Sequence, residues 1–291
     1  MYIDLSKMNS GFCDRLRQIT FCIAINILKK KKINKIEIFE KLNKECPFYF
    51  TDFMKIKKYL VVKCKKKNIK SIKMNPYNSM ININTCKKFN DDIKIDNHML
   101  LNQWKKTFQY LEPKKKIRNE IFKLIKHKSY TAVHIRLTDK LLSFKDAIFE
   151  LPQKDVITYP ILNSFFKNIL KTLNKNKVQN IYIASDENFY KKKLEKKLKN
   201  KGFKILSRKI NYNKNKLRQT SGEDFVKDLF ILSKAKKIIS TTGGNVPLTA
   251  SLITKKKIDY LEWNYFNINY LMLTSIRYLI YFLRFIISFN K

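Results

Sequence analysis

From residue 130 onward, short runs of β-branched and aromatic residues alternate with longer amphipathic stretches at regular intervals, and this rhythm restricts the fold more than any other feature of the chain. Strands are expected at 130–135, 179–184, 203–207, 237–241 and 257–262. Helices are expected between them at 155–173, 187–200, 222–235 and 246–253, with a polar loop over 208–220. Strands separated by helices of this length cannot pair as hairpins. They form a parallel sheet covered on both faces, and the apolar runs are those of doubly buried strands. The class is therefore α/β, with a Rossmann-like unit in this half.

The first half is less regular. Residues 9–18 lead into a helix whose apolar stripe is Leu16, Ile19, Ile23, Ala24, Ile27 and Leu28, widened by Phe21, Cys22 and Ile25. The helix stops at the lysine run 29–32. Ile36–Leu42 is expected to be helical, Phe48–Leu60 mixed, and Lys58–Cys64 and Ile69–Met74 extended. The Asn-rich stretch 75–97 reads as loops around a short strand, Met80–Ile83. Helices are expected over Leu100–Leu111 and Lys114–Lys126. This divides the chain into an N-terminal α/β unit (1–125), a Rossmann-like unit (126–265) and an apolar, basic C-terminal segment (266–291).

Composition matters where it bears on partners. The formal net charge is +39, and it comes from 54 lysines against only 8 arginines. Lysine, asparagine and isoleucine rise together on neutral positions, the mark of an A+T-rich coding bias. The charge is thus a weak sign of nucleic-acid binding, which would gather lysines and aromatics on one face. It still favours anionic ligands and surfaces. Five cysteines, with no Cys-x-x-Cys pair, read as free thiols in a reducing compartment. The first residues lack the pattern of a signal peptide, so a cytoplasmic setting is expected. Tyr270–Phe289 is strongly apolar but carries Arg277 and Arg284. It suits either a terminal helix packed on the fold or an interfacial helix on the inner face of an anionic membrane; an arginine near the bilayer centre argues against a spanning one.

Four stretches concentrate chemistry. In the first, Gly11 precedes the N-terminal helix, whose first-turn amides can face an anion, with Asp14 and Arg15 on that turn. In the second, His134, Arg136, Asp139 and Lys140 crowd the end of strand 130–135. Ligands bind at such strand ends in open α/β sheets, and Arg136 offers a planar fork of donors suited to phosphate. Asp186 and Glu187 end the next strand. The fourth stretch runs from Asp228 to Thr242, Gly243, Gly244 and Asn245; in a chain of 5 glycines, an adjacent pair after a strand implies close backbone approach to a ligand. No strand is followed by Gly-x-Gly-x-x-Gly, which disfavours NAD chemistry, and no Asp-x-Asp sugar-nucleotide metal motif is present.

These stretches together resemble the GDP-fucose-dependent fucosyltransferases, in particular the α1,6 branch of core N-glycan and nodulation-factor fucosylation. His134-Ile-Arg-Leu-Thr-Asp-Lys140 is similar to that family's His-x-Arg-Arg-Thr-Asp-Lys. Ile181-Tyr-Ile-Ala-Ser-Asp-Glu187 resembles its strand ending in Ser/Thr-Asp-Asp/Glu. Asp228-Leu-Phe-Ile-Leu-Ser-Lys-Ala, followed by the segment ending at Asn245, resembles its C-terminal phosphate-binding segment. Gly11-Phe-Cys-Asp-Arg-Leu-Arg17 is similar to the N-terminal Gly-rich loop of the wider superfamily.

The resemblance implies a GT-B-like fold of two Rossmann-like domains, the second binding the nucleotide sugar and the first facing the acceptor. It implies Arg136 on the GDP pyrophosphate, Asp139 and Lys140 orienting that site, and Asp186 and Glu187 near the guanine or ribose. Asp228 would contact the guanosine, and the backbone around Gly243, Gly244 and Asn245 the β-phosphate. The implied reaction is an inverting, metal-independent transfer of fucose or a related sugar from a GDP-sugar to a glycan hydroxyl. Asp146 is the first choice for the base and Glu150 the second. Two departures stand out: the family's second arginine is Leu137, and its serine before the final amide residue is Gly244. Arg15, Arg17 or Arg218 are candidates to compensate. The alternatives are an inactive relative that binds nucleotide or glycan and, last, a basic nucleic-acid-binding protein.

Overall fold

The computed structural model describes residues 1–6, 8, 11–44, 46–64, 81–90, 94–126, 128–136, 159–175, 179–210, 220–240, 245–261 and 279. Two parallel sheets organise them. The N-terminal sheet joins β1 (Tyr2–Asp4), β2 (Lys35–Phe39) and β4 (Leu60–Lys63) in the order β1-β2-β4. The C-terminal sheet has five parallel strands, β6 (Thr131–Ile135), β7 (Asn180–Ser185), β8 (Lys204–Leu206), β9 (Lys237–Ser240) and β10 (Ile258–Tyr260), in the order β10-β9-β6-β7-β8. A small antiparallel pair, β3 (Met54–Ile56) with β5 (Leu111–Pro113), completes the sheets of the described residues. The helices are α1 (Phe12–Leu28), α2 (Phe50–Phe53), α3 (Ile83–Asn90), α4 (Asn97–Thr107), α5 (Lys115–Ile125), α6 (Tyr159–Lys175), α7 (Asn188–Lys199), α8 (Gly222–Lys234) and α9 (Asn245–Thr254). The fold is α/β and GT-B-like.

The five-stranded sheet sorts its side chains by the two-residue period of a strand. Val133, Ile135, Ile181, Ile183 and Ile239 face one way, against Phe165, Phe166, Ile169 and Leu173 of α6 and Tyr190, Leu194 and Leu198 of α7. Ala132, Tyr182, Ala184 and Ile238 face the other way, into a core that also contains α8, α9 and the N-terminal half. Aromatic rings close this seam: Phe12 of α1 lies 5.8 Å from Phe225 of α8, and Phe48 lies 6.2 Å from it. Gly222 opens α8 where a Cβ would sit 2.4 Å from Phe48 Cγ and 2.6 Å from Phe53 Cε2, so the close approach requires glycine. After α7, Gly202 adopts φ +85°, the left-handed helix stop that glycine favours.

Strand and helix boundaries in the C-terminal half fall within a few residues of expectation. The N-terminal half departs from it at three places. Ile36–Leu42 is not helical: Lys35–Phe39 is strand β2, with Ile36 and Ile38 buried and Lys35 exposed. Pairing with β1 on one side and β4 on the other outweighs the helix propensity of its Lys and Glu. Ile83 begins a helix instead of ending a strand. Asn82 accepts the Thr85 amide (2.9 Å) and hydroxyl (3.1 Å) at Oδ1, as a helix cap does. The helix expected over Leu100–Leu111 stops at Thr107, passes through a 3-10 turn (Phe108–Tyr110) and becomes β5, whose Pro113 favours extended backbone before it. The short β1 was not expected. The strand Ile69–Met74 and the segment Tyr270–Phe289 lie outside the described residues, apart from Leu279. Among the described residues no helix is long and apolar enough to cross a membrane.

Candidate active site

In the five-stranded sheet the chain runs outward from β6 through β7 to β8, then returns to the other side as β9 and β10. The reversal falls between β6 and β9, and the crevice beyond their carboxyl ends is where such sheets bind ligands. His134 lies near the end of β6, Arg136 directly follows it, and Asn245 begins α9 beyond β9. His134 pairs in register with Ser240, and its Nδ1 lies 3.2 Å from Ser240 Oγ. Burial, reinforced by the charge of Arg136, pushes the His134 imidazole down to about 4 against a partial pull from Asp228. His134 is therefore neutral at physiological pH, with one ring nitrogen donating and the other accepting. Arg136 is half-buried at the strand end.

Beneath the sheet, on the same face as His134, Asp228 of α8 is buried. Its Oδ1 accepts hydrogen bonds from Tyr182 Oη, from Arg208 Nε (3.2 Å) and from Arg208 Nη2 (2.6 Å). Arg208 follows β8 and is anchored by Asp224, through the carboxylate at Nη1 and the backbone carbonyl at Nη2 (2.6 Å). Asp224 in turn takes the Ser221 hydroxyl (2.9 Å), while Ser221 Oγ caps α8 by accepting the Asp224 amide (3.0 Å). Lys191 is buried nearby, its Nζ 5.8 Å from the Tyr182 ring. Burial lowers the Lys191 ammonium's pKa, although Asp228 opposes it. Burial and then the Asp228 charge raise the Tyr182 phenol well above its ordinary value, so it stays a donor. Burial works against the Arg208 cation, but Asp228 and Tyr182 outweigh it and hold the guanidinium protonated.

The N-terminal motif reaches the same crevice. Gly11 is the N-cap of α1, and its carbonyl accepts the Asp14 amide (3.1 Å). Asp14 pairs with Arg17, and Asn245 Nδ2 donates to Asp14 Oδ1 at 3.3 Å, joining residues 231 positions apart. Arg15 behaves differently. It is fully buried, with Nη1 3.3 Å from Glu40 and Nη2 donating to the Lys41 carbonyl at 2.7 Å. Glu40 also accepts the Phe50 amide at 2.9 Å. Arg15 therefore ties α1 to β2 and α2 and offers no surface to a ligand. Arg17, whose guanidinium pKa burial lowers, is itself buried and pairs with Asp14.

At the end of β7, Glu187 is the N-cap of α7, accepting the Phe189 (3.0 Å) and Tyr190 (2.7 Å) amides. Asp186 beside it is half-buried. Of the candidates, Asp14 and Asn245 are joined by a hydrogen bond and His134 shares a sheet face with the Tyr182–Asp228 network, while Arg15 is turned into the core. Asp139, Lys140, Asp146, Glu150, Thr242, Gly243 and Gly244 lie outside the described residues. Among those described, no group of three or more His, Cys, Asp or Glu gathers to hold a metal. Tyr182, Arg208, Asp224 and Lys191 were not anticipated. The available signal was Arg208 itself, one of 8 arginines among 62 basic residues.

Comparison with known proteins gives the arrangement its family. Residues 16–253 match the model of the GDP-fucose protein O-fucosyltransferase family. No curated protein matches the chain. Among solved structures, POFUT1 in complex with GDP-fucose superposes with a TM-score of 0.50 at 13% identity, over 89% of this chain and 97% of that one. The NodZ α1,6-fucosyltransferase soaked with GDP-fucose gives 0.50 at 12% identity, over 87% and 92%. FUT1 of Arabidopsis thaliana in complex with GDP gives 0.51 at 7% identity, over 89% and 70%. These likenesses share the fold, and the family model, spanning most of the chain, carries the assignment: the chain belongs to the GDP-fucose protein O-fucosyltransferase family.

Proposed function

We propose that this protein transfers fucose from GDP-fucose to a hydroxyl of a glycan acceptor, with inversion and without a metal. The observation that carries the reading is the placement of His134 and Arg136 at the sheet's switch point, in a chain whose residues 16–253 match this family. Departure of GDP from the sugar C1 develops negative charge on the β-phosphate and oxocarbenium character on the sugar. Arg136 and the backbone amides from Gly243 to Asn245 stabilise the first, a task preorganised donors perform without Lewis-acid help. Asp139 and Lys140 orient that site. Asp228 meets the guanine, with Asp186 and Glu187 toward the ribose. A carboxylate, Asp146 or else Glu150, takes the acceptor proton, a contribution of about 10²–10⁴ in rate. Residues 1–125 form the acceptor side and 126–265 the donor side.

Calorimetric titration with GDP, GDP-fucose, UDP-glucose and NAD, on wild type and Arg136→Ala, tests the donor assignment. Binding of GDP and GDP-fucose alone, lost in the variant, is the expected result. A folded wild type that ignores guanine nucleotides would refute it. Leu137, where the family pattern has a second arginine, favours one other reading, an inactive binder. In that case GDP binds but no fucose is released or transferred, and Leu137→Arg restores turnover.

A further inference from the structure

We propose that Arg208 and Tyr182 are positioning residues for base recognition: together they hold Oδ1 of Asp228 so that Oδ2 accepts from the guanine edge of the donor nucleotide. The inference rests on the donor reading above and extends it to residues that no sequence motif includes. Asp228 Oδ1 takes three donors from two side chains, Tyr182 Oη and Arg208 Nε and Nη2. Among the described residues nothing donates to Oδ2. Oδ2 is not among the buried orphan atoms of the described residues, and the Asp228 side chain keeps 10% of its surface exposed. With Oδ1 taken up by three donors, Oδ2 is the oxygen left to accept from a ligand's donor. Guanine presents two, the ring N1–H and the exocyclic amine; adenine and uracil cannot offer that pair on one edge.

The holding device is matched to arginine. Arg208 reaches four acceptors in three directions at once: Asp228, Tyr182, the Asp224 carboxylate and the Asp224 carbonyl. A planar fork does this, whereas a lysine ammonium is a single point on a flexible stem. In a chain with 54 lysines and 8 arginines, an arginine is a departure from the local habit, and here its geometry explains it. The restraint runs from the Ser221 cap of α8 through Asp224 and Arg208 to Asp228, so the carboxylate's rotation is fixed by the helix that carries it. The charged and titratable groups facing Asp228 are Arg208, Lys191, Asp224 and, on the same sheet face, the neutral His134.

The test compares GDP with inosine diphosphate, which differs only in lacking the exocyclic amine. Wild type should prefer GDP by about tenfold, the size of one hydrogen bond to a charged acceptor. In Arg208→Lys the preference should fall toward unity, and in Tyr182→Phe it should fall about threefold, with the diphosphate contacts kept. A purely structural role would weaken both nucleotides equally and leave the ratio unchanged; that result, in either folded variant, overturns the proposal. Tyr182→Phe removes one hydroxyl and preserves the ring, so it decides the matter if Arg208→Lys fails to fold. A wild type that binds the two nucleotides equally also overturns the proposal but leaves the donor class standing. A wild type that binds neither refutes the donor reading itself.

Discussion

Each half of the molecule buries an arginine against a carboxylate, and the two pairs are built for different ends. Arg15 and Glu40 lie in the N-terminal half with side chains fully covered, and their partners are backbone groups of the same half, the Lys41 carbonyl and the Phe50 amide. Arg208 and Asp228 keep slight exposure and leave one carboxylate oxygen without a donor among the described residues. The first pair is sealed from solvent and ties three elements together, with Arg15 Nε left as a buried donor that no described group accepts. The second is open at one atom, where a ligand can complete it. Burial of charge alone therefore does not mark a functional site; what matters is whether the group keeps an atom that a ligand can reach.

The largest expected effect breaks the closed pair. Glu40→Ala leaves Arg15 buried with a lone carbonyl, and urea unfolding should show a loss of about 3–5 kcal/mol. The ratio of GDP to inosine diphosphate affinity should not move. A loss below about 1 kcal/mol would show that Arg15 is not sealed.

The next effect is a pH dependence on the open side. His134 titrates near 4 when folded and near its ordinary 6.5 when unfolded. Between those values the unfolded chain binds the extra proton, so stability falls as pH drops from 6.5 toward 4, by about 3 kcal/mol in total. His134→Asn should remove this part of the slope when urea midpoints at pH 7 and pH 4.5 are compared with wild type.

The seam between the halves comes third. Gly222→Ala places a methyl 2.4 Å from Phe48 Cγ and should cost about 1–3 kcal/mol in chemical denaturation. An unchanged midpoint would mean that the halves yield to each other. The smallest effect belongs to Asn245→Ala, which loses the 3.3 Å bond to Asp14. About 0.5–1.5 kcal/mol is expected, read as a two- to tenfold rise in the dissociation constant for GDP.

The five-stranded sheet was readable because its strands are buried on both faces. Val133, Ile181 and Ile239 carry a signal that lysine bias on the surface cannot blur. The three-stranded sheet was harder. Ile36 and Ile38 alternate with Lys35 and Glu37, but four residues of alternation among good helix formers fit both periods, and only pairing with β1 and β4 selects the strand. The site divides in the same way. His134, Arg136 and Asp228 could be named because each adjoins an apolar run that fixes its place. Arg208 stood in what read as a polar loop. Its partners Tyr182 and Asp228 lie 26 and 20 positions away, and Tyr182 read as one more strand aromatic. Arg15 shows the converse: the motif around Gly11 made it a candidate for the site, and a contact 25 positions on turned it into the core.

By itself, the sequence determined the class of fold, the strand and helix rhythm of the second half, and the four stretches where donors and carboxylates collect. Those features are local, set by spacing along the chain and by the difference between apolar and polar side chains. Only the tertiary structure decided which charges close on each other and which stay open to a ligand. That outcome depends on hydrogen-bond geometry between residues far apart in sequence, because a carboxylate's role follows from the count of donors that reach each of its oxygens once the chain has folded.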